Sequence, residues 1–379
     1  MLNEFYHRFG IDGTAPQQFF CPGRINLIGE HIDYNGGLVL PAAISLGIYL
    51  VIRPREDGKI RLQSAQFDEA FTLNITDKKE YNTANGWANF PIGCIDFLMN
   101  KGLPITGADM YYESTLPLGS GLSSSAAIEV LTLFALHTTF GQDDYPKTQI
   151  ALDAQSIENK FIGMQCGIMD QFAVAMGKEK HAIKLNCETL EYEYIPAEFG
   201  NYTLVIINTN KPRALVHSAY NQRLAECQEA LQTINQKHHY INLCQVPLAI
   251  ANAELTGVLL QRARHCITEQ LRVEAACKAL AENNIGLFAQ QLMGSHLSLL
   301  NDYEVTGAEL DALFVAATNN EGCLAARMTG AGFGGCAIAL VENNSVALFK
   351  QNTATEYQKI TGLNPAFYEC NVSGGVKKL

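Results

Sequence analysis

Residues 218–320 read as almost wholly helical, and strand-like segments lie before and after this helical block. This order of elements predicts a chain of the mixed α+β class. A length of 379 residues favours two domains, because one domain usually takes about 150 residues. The pattern of predicted helices and strands is interrupted around Ile195–Asn201 by a proline and a glycine. We therefore predict one domain over residues 1–200 and a second over residues 201–379.

Local patterns predict individual elements on either side of the helical block. Asp57-Gly58 is a favourable hairpin turn between two strand candidates, Ile48–Arg53 and Lys59–Gln63. A helix is predicted over Ser124–Phe140, with a glycine just past its end. The other predicted elements are the helices Trp87–Met99, Pro146–Asn159 and Ser345–Thr361 and the strands Ala108–Thr115, Tyr202–Asn208, Ala325–Thr329, Cys336–Val341 and Ala366–Cys370.

The charge balance argues against polyanionic partners. The formal net charge is −11, and the chain contains no run of lysine and arginine. Nucleic acids and anionic membrane surfaces both attract basic patches, so we expect neither as a partner. Apolar residues make up 47% of the chain, which is enough for a sizeable core. No apolar run reaches the length of about 18 residues that a membrane-spanning helix needs.

The eleven cysteines are scattered, and none forms a C-x-x-C pair. Zinc and iron–sulfur sites therefore have little support. The odd number fits reduced thiols in a cytoplasmic protein. The N-terminal residues 1–8 contain no apolar stretch after a basic one, so we expect no signal peptide.

The first segment that carries chemistry is Pro22–Gly37. It brings Arg24, Glu30, His31 and Asp33 within ten residues, bracketed by glycines. Carboxylates accept hydrogen bonds from hydroxyls, and arginine donates to anionic oxygens. The cluster suits a polyol at one end and a phosphate at the other. The alternative is a solvated surface loop with a local ion pair.

The second segment is a glycine- and serine-rich loop, Leu116–Ala127, which opens onto the predicted helix. Glycines allow the loop to turn its N–H groups inwards, and a helix N-terminus favours an anion. Three successive serines, 123–125, add hydroxyl donors or a Mg²⁺ ligand. The segment lacks the lysine of a Walker A loop. A phosphate site is the functional hypothesis, and a serine helix cap after a turn is the alternative.

The third segment, Arg327–Cys336, contains G-x-G-x-x-G at Gly330, Gly332 and Gly335. A dinucleotide-binding loop would be followed by a helix, but here a strand follows, and too little chain remains for such a domain. The pattern is then either a tight connection between core strands or a turn that another backbone or a ligand approaches closely.

A single aspartate, Asp170, lies in the mostly apolar stretch Cys166–Phe172. A buried carboxylate without a partner is costly, and such surroundings tune catalytic acids and bases. A helix cap or a local salt bridge is the alternative. Glu158 lies on the helix that leads to this stretch, and this position taken by itself predicts a surface residue.

Taken together, these segments resemble the galactokinase family of the GHMP small-molecule kinase superfamily. Gly23–Tyr34 is similar to the segment peculiar to galactokinases, and Gly167–Gln171 to their catalytic segment. Gly121–Ala126 resembles the superfamily phosphate loop, and Met328–Gly335 its third motif. One departure is Ala331, which stands where glycine is common and excludes conformations that only glycine adopts.

The resemblance implies a role for each matching residue. Asp170 looks like the catalytic carboxylate beside the anomeric hydroxyl, and Arg24 like its partner near the transferring phosphoryl group. The residues implied to hold the sugar are Glu30, His31, Asp33, Gly167 and Tyr220. Those implied to bind the nucleotide are Ser64, Trp87, Gly119, Ser120, Gly121, Leu122, Ser123, Ser124 and Ser125. Ser125 and Glu158 match positions associated with Mg²⁺.

The resemblance also implies a two-domain GHMP kinase fold, with a mixed N-terminal domain, a ferredoxin-like C-terminal domain and the active site between them. D-galactose and ATP would be the substrates, galactose 1-phosphate and ADP the products, and Mg²⁺ the cofactor. We expect a monomer. Two alternatives stay open: a kinase for N-acetylgalactosamine, galacturonate or arabinose, and a non-catalytic sensor of galactose and ATP.

Overall fold

Three β-sheets and the helices packed on them form the part of the chain that the computed structural model describes, residues 1–117, 119–141, 144–211 and 216–379. The strands are β1 (Gln17–Asn26), β2 (Leu38–Val39), β3 (Pro41–Pro54), β4 (Lys59–Ser64), β5 (Phe71–Asn74), β6 (Ala108–Ser114), β7 (His181–Asn186), β8 (Tyr192–Pro196), β9 (Tyr202–Asn208), β10 (Cys323–Thr329), β11 (Cys336–Glu342), β12 (Ala366–Glu369) and β13 (Lys377–Lys378). The helices are α1 (Leu2–Phe9), α2 (Asn89–Asn100), α3 (Ser124–Phe140), α4 (Lys147–Ile157), α5 (Met169–Met176), α6 (Val216–Ile234), α7 (Leu248–Glu254), α8 (Gly257–Ala281), α9 (Ile285–Ser298), α10 (Gly307–Thr318) and α11 (Val346–Thr361).

The first sheet has six strands in the order β13-β1-β3-β6-β4-β5. Its neighbours are antiparallel except for β4 and β6, which run parallel. The predicted hairpin between β3 and β4 is wrong, because β6 lies between them and pairs with both. The Asp57-Gly58 turn therefore spans the width of a third strand, and Gly58 N donates to Thr106 O at 3.1 Å. Two strands joined by a favourable turn need not pair when a later strand fits between them.

Helices α3 and α5 cover one face of the first sheet, where both pack on β1 and β3. Helix α3 is apolar nearly all round, as expected of a helix enclosed by the sheet and by α2, α4 and α5. Its bounds, Ser124–Phe140, match the prediction, and Gly141 follows its last residue. This burial holds the N-terminus of α3 rigidly at the end of β6, where the glycine- and serine-rich loop begins.

The second large sheet has four antiparallel strands in the order β10-β11-β9-β12. With α11 between β11 and β12, this is the ferredoxin-like arrangement that the family resemblance implies. The third glycine segment connects β10 to β11, so the prediction that strands flank it on both sides is confirmed. Gly330, Gly332 and Gly335 all have positive φ. Ala331 does not, which explains how alanine fits in this turn.

The predicted division near residue 200 falls in the short connection between β8 and β9. It stays a prediction as a domain boundary. The C-terminal end of the predicted second domain, 201–379, returns to the first sheet, because β13 pairs with β1 through Lys377 and Lys378. A third, three-stranded sheet has the order β2-β7-β8. Among the described residues, no helix has both the length and the apolar character needed to cross a bilayer.

Candidate active site

A bidentate ion pair joins two of the predicted site residues. Arg24 lies near the end of β1, and Asp170 lies in the first turn of α5. Arg24 Nε donates to Asp170 Oδ1 and Nη2 donates to Oδ2, each at 2.8 Å. The arginine is buried, whereas 30% of the Asp170 side chain stays exposed. The buried guanidinium therefore holds the Asp170 carboxylate in a fixed orientation, and the carboxylate remains accessible to a ligand.

The glycine- and serine-rich loop packs directly on this ion pair. Arg24 Nη1 donates to Gly121 O at 2.8 Å, and Arg24 N donates to Leu122 O at 3.2 Å. Gly119 and Gly121 both have positive φ, which supplies the turn that the sequence predicts. Ser123 precedes α3 but makes no capping hydrogen bond with it, and its hydroxyl instead donates to Asp170 Oδ2 at 2.6 Å.

The serines at the start of α3 and in the loop before it differ in their exposure to solvent. Ser124 is exposed and Ser125 is half-buried, whereas Ser120 is buried within the loop. The third glycine segment borders this loop, since a Cβ added at Gly330 would lie 3.2 Å from Gly121 O. The predicted close approach of another backbone to that segment is thus observed, and two glycine segments meet beside the ion pair.

A cavity of about 420 Å³ contains two more of the predicted residues, Asp33 and Gly167. Its size lies in the range typical of small-molecule sites. A Cβ at Gly167 would overlap the Asp33 carboxylate, so the glycine allows that carboxylate its position. Burial, and then the nearby Asp170 charge, raise the pKa of Asp33 to about 7. Tyr34 and Cys166 also line this cavity.

His31 and Tyr220 lie in an aromatic cluster beside the cavity. The His31 ring centroid is 5.6 Å from that of Tyr220. One His31 nitrogen, Nε2, lies 3.1 Å from Ala331 O, and the other, Nδ1, lies 2.8 Å from the Tyr34 hydroxyl. Burial lowers the pKa of His31 to about 3, so the ring is neutral near pH 7. A neutral ring donates Nε2–H to Ala331 O and accepts from Tyr34, whose oxygen lies 2.8 Å from the Tyr303 hydroxyl.

Glu30 lies in a buried ion pair with Arg327, at 3.0 Å between Oε2 and Nη2. Gly330 N donates to Oε1 at 2.7 Å, and Asn26 Nδ2 also donates to Oε2. The side chains of Glu30 and Arg327 are 1% and 0% exposed. Both Glu30 oxygens are thus engaged by the protein, and a direct contact between this residue and a sugar stays a prediction.

Glu158 begins a π-helical turn, Glu158–Ile162, directly after α4. Its buried carboxyl group hydrogen-bonds with Ser125 and accepts from Gln171 Nε2. Burial raises the pKa of Glu158. The hydrogen bond with Ser125 lowers it and the negative charge of Asp170 raises it, so that the pKa is raised overall. The predicted metal residues Ser125 and Glu158 are therefore neighbours. Hard oxygen donors of this kind suit Mg²⁺, which usually takes one or two carboxylates together with substrate phosphates.

Glu129 is a residue of this region that the sequence interpretation missed. It lies one helical turn after Ser125 and is fully buried against Glu158. Neither of its oxygens has a donor among the described residues. Burial, and then the adjacent Glu158, raise its pKa well above the usual range. Its spacing of four residues from Ser125 on one helix face was the signal available in the sequence.

Ser64 and Trp87 lie in a third part of the structure, beside β6. Trp87 contacts Tyr112 of β6 at 5.5 Å between ring centroids and stacks on Phe67 at 6.1 Å. Ser64 pairs with Tyr112 in the sheet, and its hydroxyl accepts from Gln66 N at 3.1 Å. Trp87 Nε1 is buried without a partner among the described residues. The two predicted nucleotide residues thus flank the strand that leads into the glycine- and serine-rich loop.

Three family models match the chain. The galactokinase galactose-binding signature matches residues 3–54, the GHMP kinases N terminal domain matches residues 89–178, and the GHMP kinases C terminal model matches residues 276–357. These ranges contain the Arg24 segment, the glycine- and serine-rich loop with Asp170, and the third glycine segment.

The chain is also similar over its whole length to galactokinases of other organisms. The galactokinases of Clostridium tetani and Staphylococcus saprophyticus are each 44% identical to it, over 100% of this chain and 97% and 100% of those proteins. The crystal structure of Lactococcus lactis galactokinase complexed with galactose matches with a TM-score of 0.95 and 41% identity, covering 100% of this chain and 98% of that one. A mevalonate kinase crystal structure matches at a TM-score of 0.67 and 18% identity, covering 95% of this chain and 100% of that one, which shows a shared fold.

Proposed function

The chain belongs to the galactokinase family, and from that premise we propose that the cleft around Asp170 transfers the γ-phosphoryl group of ATP to the C1 hydroxyl of D-galactose. The enzyme thus phosphorylates galactose at the expense of ATP, giving galactose 1-phosphate and ADP. The single observation that supports this use of the cleft is the Arg24–Asp170 ion pair. Arg24 contacts the phosphate loop at Gly121 O. Asp170 lies close enough to Asp33, which lines the sugar-sized cavity, to raise the pKa of Asp33.

In the proposed reaction the C1 oxygen of galactose forms a bond to the γ-phosphorus while the bond to the bridging oxygen of ADP breaks. Asp170 either takes the hydroxyl proton or orients the hydroxyl until the proton leaves after transfer. Arg24 stabilises negative charge on the transferring group, because its guanidinium is already fixed at the phosphate loop. Asp33 and Gly167 position the sugar ring, and Tyr220 and the neutral His31 support it from the adjacent aromatic cluster.

The nucleotide would lie along the loop Gly119–Ser125, with its base towards Ser64 and Trp87. The free N–H groups at the start of α3 would bind phosphate oxygens. Mg²⁺, when bound, would neutralise charge on the β- and γ-phosphates. Ser125 and Glu158 would hold it, since their oxygens are already adjacent.

A panel of sugars tests the substrate assignment. We expect ADP release, measured with a coupled assay, to show a higher kcat/KM for galactose than for N-acetylgalactosamine, galacturonate or arabinose. These sugars differ from galactose around C2 or C6, where one or two pocket residues decide specificity. A higher kcat/KM for one of the other sugars would replace galactose as the substrate. If no sugar of the panel supported ADP release, the assignment as a sugar kinase would be contradicted.

The pKa of Asp33 predicts a pH dependence. Because the pKa is raised to about 7, the carboxylate is increasingly protonated as the pH falls below 7. A protonated group loses acceptor capacity for sugar hydroxyls, so kcat/KM for galactose should fall towards pH 6 and level off above about pH 8. The Asp33→Asn variant should lose this limb of the profile. An unchanged acidic limb in that variant would assign the limb to another group.

The proposed metal residues predict a change in metal affinity. Glu158→Gln keeps the size of the side chain but removes its negative charge, so the Mg²⁺ concentration for half-maximal rate should rise about tenfold or more. Binding of Mn²⁺ in the presence of ADP, followed by electron paramagnetic resonance, should weaken in parallel. Glu198→Gln, which changes an exposed glutamate paired with Lys180, is the control. Unchanged Mn²⁺ affinity in Glu158→Gln would remove this residue from the metal site.

We propose in addition that the enzyme acts in the cytoplasm as a monomer. All eleven cysteines are free thiols, which is the state maintained in reducing compartments. The net charge of −11 gives no reason to add a nucleic acid or an anionic membrane to its partners.

A further inference from the structure

Ser123 has a backbone conformation that serine rarely adopts. Its φ of 62° and ψ of 45° lie in the left-handed region, immediately before α3. The position would suit glycine, because a Cβ there costs about 1 kcal/mol or more. The side chain is buried. A residue that tolerates this strain at the end of a phosphate loop is expected to use its side chain for something that glycine cannot supply.

The Ser123 hydroxyl is directed at the catalytic carboxylate rather than at its own helix. It donates to Asp170 Oδ2 at 2.6 Å. The same oxygen accepts from Arg24 Nη2 at 2.8 Å, whereas Oδ1 accepts only from Arg24 Nε among the described residues. A carboxylate oxygen has two lone pairs. Both lone pairs of Oδ2 are therefore occupied, and one lone pair of Oδ1 is open.

We propose that Ser123 is a positioning residue that occupies Asp170 Oδ2, so that Oδ1 is the oxygen that receives the C1 hydroxyl of the sugar. This inference rests on the proposed function of Asp170 and adds the atom that acts. It also takes the Ser123 side chain out of the set that would bind phosphate. The backbone of the loop is tied to the same pair through Gly121 O and Leu122 O, so the loop and the carboxylate form one rigid unit.

The test compares Ser123→Ala and Ser123→Gly. Both remove the hydroxyl, and glycine in addition relieves the left-handed strain. We expect kcat for galactose to fall about 10- to 100-fold in both, as for loss of a hydrogen bond to a charged group, with little change in KM for ATP. A rise in KM for ATP with kcat unchanged would assign the hydroxyl to phosphate binding and overturn the proposal. Recovery of kcat in the glycine variant alone would assign the effect to the backbone and overturn it as well.

A double-variant cycle with Asp170→Asn separates a role through Asp170 from an independent one. If Ser123 acts by positioning Asp170, adding Ser123→Ala to Asp170→Asn should lower kcat by less than about twofold. A full additional loss would contradict the proposal. The Asp170→Asn variant alone tests the proposed function separately: a large loss there, with a native rate in Ser123→Ala, would leave the function intact and overturn only the inference about Ser123.

Discussion

Replacing Asp170 by asparagine is expected to lower kcat for galactose phosphorylation by about 10²–10⁴-fold, the range for loss of a general base. Asparagine keeps the volume of the side chain and can still accept from Arg24 and Ser123 with one oxygen. It cannot accept a proton, and its amide group would face one of the two Arg24 donors. ATP binding should change little, because the phosphate loop keeps its contacts with the Arg24 backbone.

The control for this variant is Asp153→Asn. Asp153 lies on α4 and also forms an ion pair, with Lys101 Nζ at 2.8 Å. It is expected to affect stability without lowering kcat of the folded enzyme. If Asp170→Asn kept kcat within about threefold of the native value, Asp170 would be neither the base nor the group that orients the hydroxyl.

Replacing Arg327 by methionine is expected to lower the free energy of unfolding by about 3–5 kcal/mol, the usual cost of removing one partner of a buried ion pair. Glu30 would be left buried without its cation, and its pKa, already raised by burial, would rise further. The arginine also donates to Asn26 O and Leu27 O, at 3.0 Å and 2.7 Å. The end of β1 would lose its anchor on β10, and activity should fall with stability.

Urea unfolding followed by circular dichroism measures this loss. Lys211→Met, which breaks the half-exposed ion pair with Glu309, is the matched control and should have a far smaller effect. Adding Glu30→Gln to Arg327→Met should recover part of the loss, because the uncompensated charge is removed. A stability equal to the native value in Arg327→Met would show that the pair contributes nothing to holding the two segments together.

The family and its chemistry could be predicted from the sequence because each motif is local. The glycines of the phosphate loop and of the third segment have the positive φ values that their spacing indicates, and α3 has the predicted bounds. The galactokinase resemblance and the GHMP kinase fold are confirmed. The roles of the individual site residues stay predictions, which the variants described above test.

The misses have a common physical cause. The β3–β4 hairpin failed because β6, a strand far along the chain, pairs with both. The ion pair of Glu30 with Arg327 could not be expected from the sequence, because Arg327 comes from the other end of the chain. Glu129 drew no attention because one glutamate on a helix is ordinary until burial places it against Glu158.

By itself, the sequence determined the α+β class, most element positions and the four segments that carry the chemistry. These depend on backbone propensities and short-range spacing, which act within a few residues. The tertiary structure alone decided the order of strands in the first sheet, the bidentate geometry that joins Arg24 to Asp170 across 146 residues, and the assignment of Ser123 to Asp170 rather than to a helix cap. Those contacts form only when distant segments pack together, because burial then removes water as the competing partner for each charge and each hydrogen bond.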